Sequence, residues 1–165
     1  SPSQISLYAL MKIQIYTQDK AVEIADLYHK SVHSIDSSLY TSEQKEVWAP
    51  TPPNYAFWQQ RLINKKPYLA IIDNQVAGFI ELDADGHIDC TYTHPSYQGR
   101  GVASALYQHV LEIAKVRKLS RLYVEASLVA LPFFERRGFV IIKKNEIHRQ
   151  GLTLTNFDME LRLDD

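Results

Sequence analysis

Around Gly99 and Gly101 the hydrophobic period of the chain changes, and few folds accommodate what that change requires. Before the glycines, Tyr68 to Ile72, Val76 to Leu82 and His87 to Thr93 read as three strands. Asp73-Asn74 marks one hairpin turn and Asp83-Ala84-Asp85-Gly86 the next. After them, Val102, Leu106, Val110, Ile113 and Ala114 recur at helical spacing, an apolar stripe running to about Lys118. Arg121 to Ala126 is strand-like again. A strand, a crossover helix and a second strand in one sheet leave the two strands parallel. An antiparallel meander that gains a parallel partner in this way must become a mixed sheet.

The flanks agree with an α/β (α+β) domain. Lys12 to Tyr16 is a short strand, and Thr17 or Asp19 caps a helix through about Val32. Thr41-Ser42-Glu43-Gln44 has the form of a capping box, and its helix stops before Ala49-Pro50-Thr51-Pro52-Pro53. Asn54 caps a segment carrying Phe57, Trp58, Leu62 and Ile63. Leu131 to Arg137 is a short helix with Pro132 in its first turn and Gly138 at its close. Phe139 to Ile147 and Leu152 to Leu161 are two final strands around Arg149-Gln150-Gly151. Residues 12–163 are expected to form a single domain, with residues 1–11 a leader or N-terminal extension.

Charge and cysteine content narrow the functional classes. Eighteen basic against nineteen acidic residues give a formal net charge of -1, which supplies no broad attraction to nucleic acid or anionic membrane. No apolar run approaches the roughly 18 residues that span a bilayer. Cys90 stands alone, so no intramolecular disulfide forms, and its strand position reads as structural. These features predict a cytoplasmic protein, monomeric or homodimeric.

Gln98-Gly99-Arg100-Gly101-Val102-Ala103 sits where a strand hands over to a helix. First-turn amides of a helix have no intrahelical acceptor, and the macrodipole favours negative charge there. The glycines admit a close backbone approach, and Ala103 and Ser104 keep the first turn small. The loop is not Gly-x-Gly-x-x-Gly and lacks the Gly-Lys-Ser/Thr of a triphosphate loop. By itself it reads either as a plain connection or as an anion cradle.

At this point the chain resembles the GCN5-related N-acetyltransferase (GNAT) superfamily, whose signature is Gln/Arg-x-x-Gly-x-Gly/Ala. Tyr92-Thr93-His94-Pro95 before the loop and Phe133-Phe134-Glu135-Arg136-Arg137-Gly138-Phe139 after it fit as well. Val124-Glu125-Ala126-Ser127 and Thr155-Asn156-Phe157-Asp158-Met159 are similar to the bacterial YafP-type acetyltransferases. The resemblance implies a central, mostly antiparallel mixed sheet flanked by helices, with a splayed parallel strand pair. It implies acetyl-coenzyme A as acyl donor, its pyrophosphate on the amides of Gln98 to Ser104 and its pantetheine arm along Tyr92 and Thr93. The activity implied is direct acetyl transfer to a primary amine, the acceptor being a small molecule. In the family a tyrosine four residues before the Gly of Gly-Phe often serves as the acid. Phe134 stands there, so it packs near the cofactor instead. Ser127, in place of the family's asparagine, either contacts the pantetheine or caps a turn. A non-catalytic acyl-coenzyme A-binding or sensing module is the alternative.

Proton transfer needs further groups. Asp89 and Glu81 are the first candidates for base, and Glu125 the third. Asp89 interrupts an apolar strand, Glu81 ends a central one, and Glu125 shares a face with Tyr123. Tyr92 is the candidate acid. Aromatic residues of the early helices, Trp48 first among them, are expected to line the acceptor pocket. His94 reads as a turn residue. His29 and His33 have metal spacing but no evident acidic or cysteine partner, so no metal is expected.

Overall fold

The computed structural model describes residues 11–164. The leader reading of Ser1 to Leu10 therefore lies outside the described residues, and Met11, assigned to its end, instead opens the first strand. The elements run β1 (Met11–Ile15), α1 (Ala21–His33), α2 (Ser42–Trp48), α3 (Tyr55–Lys65), β2 (Tyr68–Ile72), β3 (Gln75–Leu82), β4 (His87–Thr93), α4 (Val102–Val116), β5 (Arg121–Ser127), α5 (Leu131–Glu135), β6 (Val140–Arg149) and β7 (Leu152–Arg162). One seven-stranded sheet takes the order β1-β2-β3-β4-β5-β7-β6. Every neighbouring pair is antiparallel except β4 and β5.

Turn and cap chemistry sets these boundaries. Asp73 and Asn74 have φ of 51° and 62°, and Gln150 and Gly151 have 51° and 77°. Two consecutive positive φ values suit the right-handed twist of a two-residue hairpin. Thr41 and Gln44 form both halves of the expected capping box, at 3.1 and 2.8 Å. Asn54 Oδ1 accepts from the Phe57 amide at 3.0 Å. Thr17, an expected cap, makes no side-chain cap bond, because the chain enters α1 through a 3₁₀ turn at Gln18–Lys20.

Each face of the sheet has its own core. Ile80, Ile88 and Leu122 pack with Leu106, Val110 and Ala114 of α4 on one side. Phe79 and Leu69 pack with Ile24 and Leu27 of α1 and with Trp58 and Leu62 of α3 on the other. Gly78 lets α4 seat directly on the sheet. A Cβ there would lie 2.7 Å from Val102 Cγ1 and 3.0 Å from the Tyr92 carbonyl oxygen. The first turn of α4 is thereby fixed against β3.

The second face buries charge. Glu81 is fully buried, and Arg61 of α3 holds both its oxygens, at 2.6 and 3.2 Å. Arg61 also reaches Asp89 at 3.0 Å, and Lys65 reaches Asp89 at 2.6 Å and Asp83 at 3.0 Å. Removing one member of a buried pair strands the other, which typically costs about 3–5 kcal/mol. Arg61→Met should therefore lower unfolding free energy by roughly that amount. Arg61→Met/Glu81→Met, with no carboxylate left at position 81, should recover most of the loss. Urea titration of the three proteins measures both effects.

Candidate functional site

The parallel pairing of β4 and β5 is very short. His87 opposes Tyr123, Ile88 opposes Val124, and the register ends there. Beyond Ile88 the facing edges of the two strands have no strand partner, and backbone groups must find other acceptors and donors. A bulge accompanies the split. Glu81 pairs with Cys90 and Leu82 with Ile88, which leaves Asp89 as the extra residue of β4. Bulges re-aim side chains, and here Asp89 turns to the cations of α3.

Two cavities meet at the split. One, of about 610 Å³, runs from Thr93 across Gln98, Gly99, Gly101 and Ala103 to Arg136. The other, of about 420 Å³, is walled by Tyr28, Tyr40, Trp48, Asp89, Glu125 and Arg149, among others. Trp48, Thr91, Tyr92, Ser127, Ala130 and Phe134 line both. A molecule entering from each side would meet its counterpart at these residues.

The loop cavity has the features of an anion site. Gly101 caps α4 without any side-chain bond, so no side chain occupies the first-turn amides. Gly99 and Gly101 have φ of 77° and 78°, and a Cβ on either would touch nothing within 4 Å. Backbone conformation, not crowding by protein, therefore selects glycine there, and the space over the amides is open. Arg100 stacks over the Tyr97 ring at 5.3 Å, and the Tyr97 hydroxyl donates to Gln75 Oε1 at 2.7 Å, tying the loop to β3. Ser104 presents its amide at the first turn while its hydroxyl accepts from Arg137 at 2.6 Å. His94 accepts from the Ser96 amide at 3.0 Å, in the expected turn role.

The other sequence candidates separate. Glu81 lines neither cavity and serves α3 as an ion-pair partner. Burial raises its pKa against the hydrogen bond and charge of Arg61. Asp89 lines the second cavity, but its charge is matched by two cations. Burial pushes its carboxyl up, yet Lys65 and Arg61 together hold it below the usual range. Glu125 lines the same cavity, and its only ion partner among the described residues is His87, at 2.9 Å from Nε2. His87 Nδ1 lies 3.2 Å from Asp83. Residues Asp83 and His87 were not singled out in the sequence; their spacing is that of an ordinary turn and strand start.

Tyr92 lines both cavities within an aromatic group, 4.8 Å from Tyr28 and 6.4 Å from Trp48 between ring centres. Burial pushes its hydroxyl well above the ordinary tyrosine range. Ser127 Oγ accepts from the Ala130 amide at 3.1 Å, which is the turn-cap role. Phe134 is buried against Tyr107, Phe133 and Phe139. Cys90 borders the second cavity, and burial pushes its thiol well up, which keeps it protonated. Trp48 lines both cavities, whereas Trp58 belongs to the core and Phe57 is exposed.

Among the described residues, two clusters carry metal-type ligands. Glu46 joins His29 and His33, supplying the acidic partner that the sequence spacing did not reveal. Hydrogen bonds close this cluster on itself: His29 with Thr51 at 2.8 Å, Thr51 to Glu46 at 2.6 Å, and His33 with the Ala49 carbonyl at 2.8 Å. In the Asp83, His87 and Asp89 cluster, the Lys65 ammonium already sits between the aspartates.

Comparison with known proteins places these features in a family. Residues 37–161 match the family model of the acetyltransferase (GNAT) domain. The chain is 31% identical to the uncharacterized N-acetyltransferase YafP of Escherichia coli (strain K12), over 92% of this chain and 96% of that protein. A GCN5-related N-acetyltransferase from Rhodopseudomonas palustris superposes with a TM-score of 0.85 at 30% identity, covering 92% of this chain and 95% of that one. YncA from Salmonella typhimurium, solved with its cofactor acetyl-CoA, shares the fold with a TM-score of 0.71 at 15% identity, covering 94% and 95%.

The opposed shifts of Asp89 and Glu81 predict a pH signature. A lowered folded pKa stabilises above the unfolded value, about 4 for a carboxyl, and the benefit is lost as pH falls through the folded value. Asp89→Asn should therefore cost most stability near neutral pH and progressively less below about pH 4. A raised folded value acts in the other sense. Glu81→Gln should cost least near neutral pH and more on acidification. Urea midpoints across pH distinguish the two curves.

Proposed function

The chain belongs to the GNAT acetyltransferase family, and from that premise we propose that it moves an acetyl group from acetyl-coenzyme A to a primary amine of a small-molecule acceptor. The observation that carries this reading is the junction of the two cavities at the β4/β5 split, with open first-turn amides on one side and Glu125 on the other. The amides of Gly101 to Ser104 suit the donor's pyrophosphate, which gains both hydrogen bonds and the helix macrodipole. Its pantetheine arm fits the unpaired edge of β4 at Tyr92 and Thr93, where backbone groups can bond it as they would a strand.

The chemistry is a direct transfer. The free amine attacks the thioester carbonyl carbon, the C–S bond breaks, and an amide and the coenzyme A thiol result, the amine's proton passing in net terms to the sulfur; an acceptor that arrives as the ammonium first releases one further proton. Holding both reactants at the shared wall supplies proximity. Glu125 is assigned as the base, because Asp89 is committed to Lys65 and Arg61. His87, between Glu125 and Asp83, orients that carboxylate and gives the proton a path away from the cavity. The thiolate emerges beside Tyr92, whose hydroxyl burial keeps protonated, and that hydroxyl is assigned to hydrogen-bond the departing sulfur. This assigns to Tyr92 the task that Phe134 cannot perform.

Phe134 also supports a second reading, a module that binds acyl-coenzyme A without turnover. Release of free thiol from acetyl-coenzyme A with a panel of amines decides between them; tight binding with no release across the panel selects the module. For the transferase, Gly101→Val should raise KM for acetyl-coenzyme A at least tenfold and, because φ is 78° there, should also cost some stability. Glu125→Gln should instead lower kcat by about 10²–10⁴ and leave that KM nearly unchanged.

A further inference from the structure

We propose that the acceptor carries an anionic group, a carboxylate or a phosphate, besides its amine, and that Arg149 binds it. This rests on the transferase reading and names the substrate class of that site. The argument begins with a charge inventory of the acceptor-side cavity. Among its described lining residues the carboxylates are Asp89 and Glu125, and the one permanent cation is Arg149. Asp89 is matched by Lys65 and Arg61, and Glu125 by His87. Arg149 has no carboxylate within ion-pair distance among the described residues and makes no side-chain hydrogen bond there. The cavity's own acids are thus answered, and its cation is left over.

Arg149 is also held in place by its backbone. It pairs with Leu152 as the last rung of the β6/β7 hairpin, next to the turn at Gln150 and Gly151. That hairpin is anchored over the cavity from the other side. The Tyr40 hydroxyl donates to the Thr155 carbonyl at 2.9 Å while accepting from the Leu128 amide at 2.9 Å, and Gln44 donates to the Thr153 carbonyl at 2.9 Å. Arg149 is exposed at the rim, close enough for its charge to act on the half-buried Tyr28 hydroxyl. Glu125 pairs with Asp158 and Arg149 with Leu152, so negative and positive charge enter the cavity at different levels of β7. Tyr28, Tyr40 and Trp48 form an aromatic wall of the cavity. A planar, five-donor guanidinium beside an aromatic wall suits bidentate capture of a carboxylate or phosphate. An amine with an anion at its far end matches both ends of this cavity; a simple hydrophobic amine leaves Arg149 unused.

Matched pairs of acceptors test the proposal. Aminohexanoate, glutamate and lysine would be compared with their carboxamides, and phosphoethanolamine with ethanolamine, by thiol release and by calorimetric binding in the presence of coenzyme A. The wild type should favour at least one anionic member by roughly ten- to a hundredfold in kcat/KM, the range of a charged hydrogen bond. Arg149→Gln should bring that ratio toward one, mainly through KM, and Arg149→Lys should keep part of it. Preference among the carboxylates alone identifies an amino acid class, and preference for phosphoethanolamine a phosphorylated amine. Equal use of both members by the wild type overturns the proposal, as does a preference that survives Arg149→Gln. Binding of an anionic amine that Arg149→Gln abolishes, without turnover, upholds the subsite and removes the transferase reading instead.

Discussion

Two rungs of parallel pairing, His87 with Tyr123 and Ile88 with Val124, join the two halves of this sheet. Everything that makes the molecule more than a packed sheet follows from their ending where they do. Had β4 and β5 stayed paired, their edges would have satisfied each other and the two cavities would have been sealed apart. The separation has a local cause on one side, the bulge at Asp89, which interrupts the regular pleat of β4. On the other side, β5 remains fully paired with β7, from Arg121 to Ser127. One strand is therefore steady while the other departs, and the gap opens without loss of the sheet.

A chain of acidic and basic side chains braces this gap from the α3 side. Glu81 meets Arg61 at 2.6 Å, Arg61 meets Asp89 at 3.0 Å, and Asp89 meets Lys65 at 2.6 Å. Lys65 meets Asp83 at 3.0 Å, Asp83 meets His87 at 3.2 Å, and His87 meets Glu125 at 2.9 Å. The chain begins at a fully buried carboxylate and ends at one on the cavity wall. Such networks are sensitive to the loss of any member, because a low local dielectric makes an unpaired charge costly. The same continuity sorts the carboxylates by task. Glu81, Asp89 and Asp83 meet Lys or Arg, while the terminal one, Glu125, meets only an imidazole.

How much of this was legible in the sequence depended on whether the cause was local. Thr41, Asn54, Asp73-Asn74 and Gly101 act through neighbours a few residues away, so cap, hairpin and loop could be read directly. The parallel pair followed from element order. Glu81 and Asp89 are different. Their surroundings are set by Arg61 and Lys65, which lie far off in sequence on α3 and meet them only after the sheet forms. No spacing rule could show that Glu81 turns away from the cavities, nor that a bulge would aim Asp89 at a helix. His87 and Asp83 were missed for the same reason, since their partner Glu125 comes from another strand. Arg149 looked like part of a turn, and only the fold of the β6/β7 hairpin over the cavity gives it a wall to line.

Phe134 is the instructive departure, because it was visible in the sequence and its surroundings explain why it can persist. Its ring lies 5.0 to 6.4 Å from Phe139, Phe133 and Tyr107, centre to centre, in edge-on arrangements that favour aromatic carbon over a polar group. A buried hydroxyl without a hydrogen-bond partner costs free energy, a cost that an apolar ring does not carry. The helix that would carry an acid has become part of the hydrophobic wall beneath both cavities. In the proposed mechanism proton donation falls instead to Tyr92, which rises from β4 next to Tyr28 and Trp48. The acid and base proposed above then both lie on the strands that form the split, Tyr92 on β4 and Glu125 on β5, so the geometry that opens the gap also sets the distance between them.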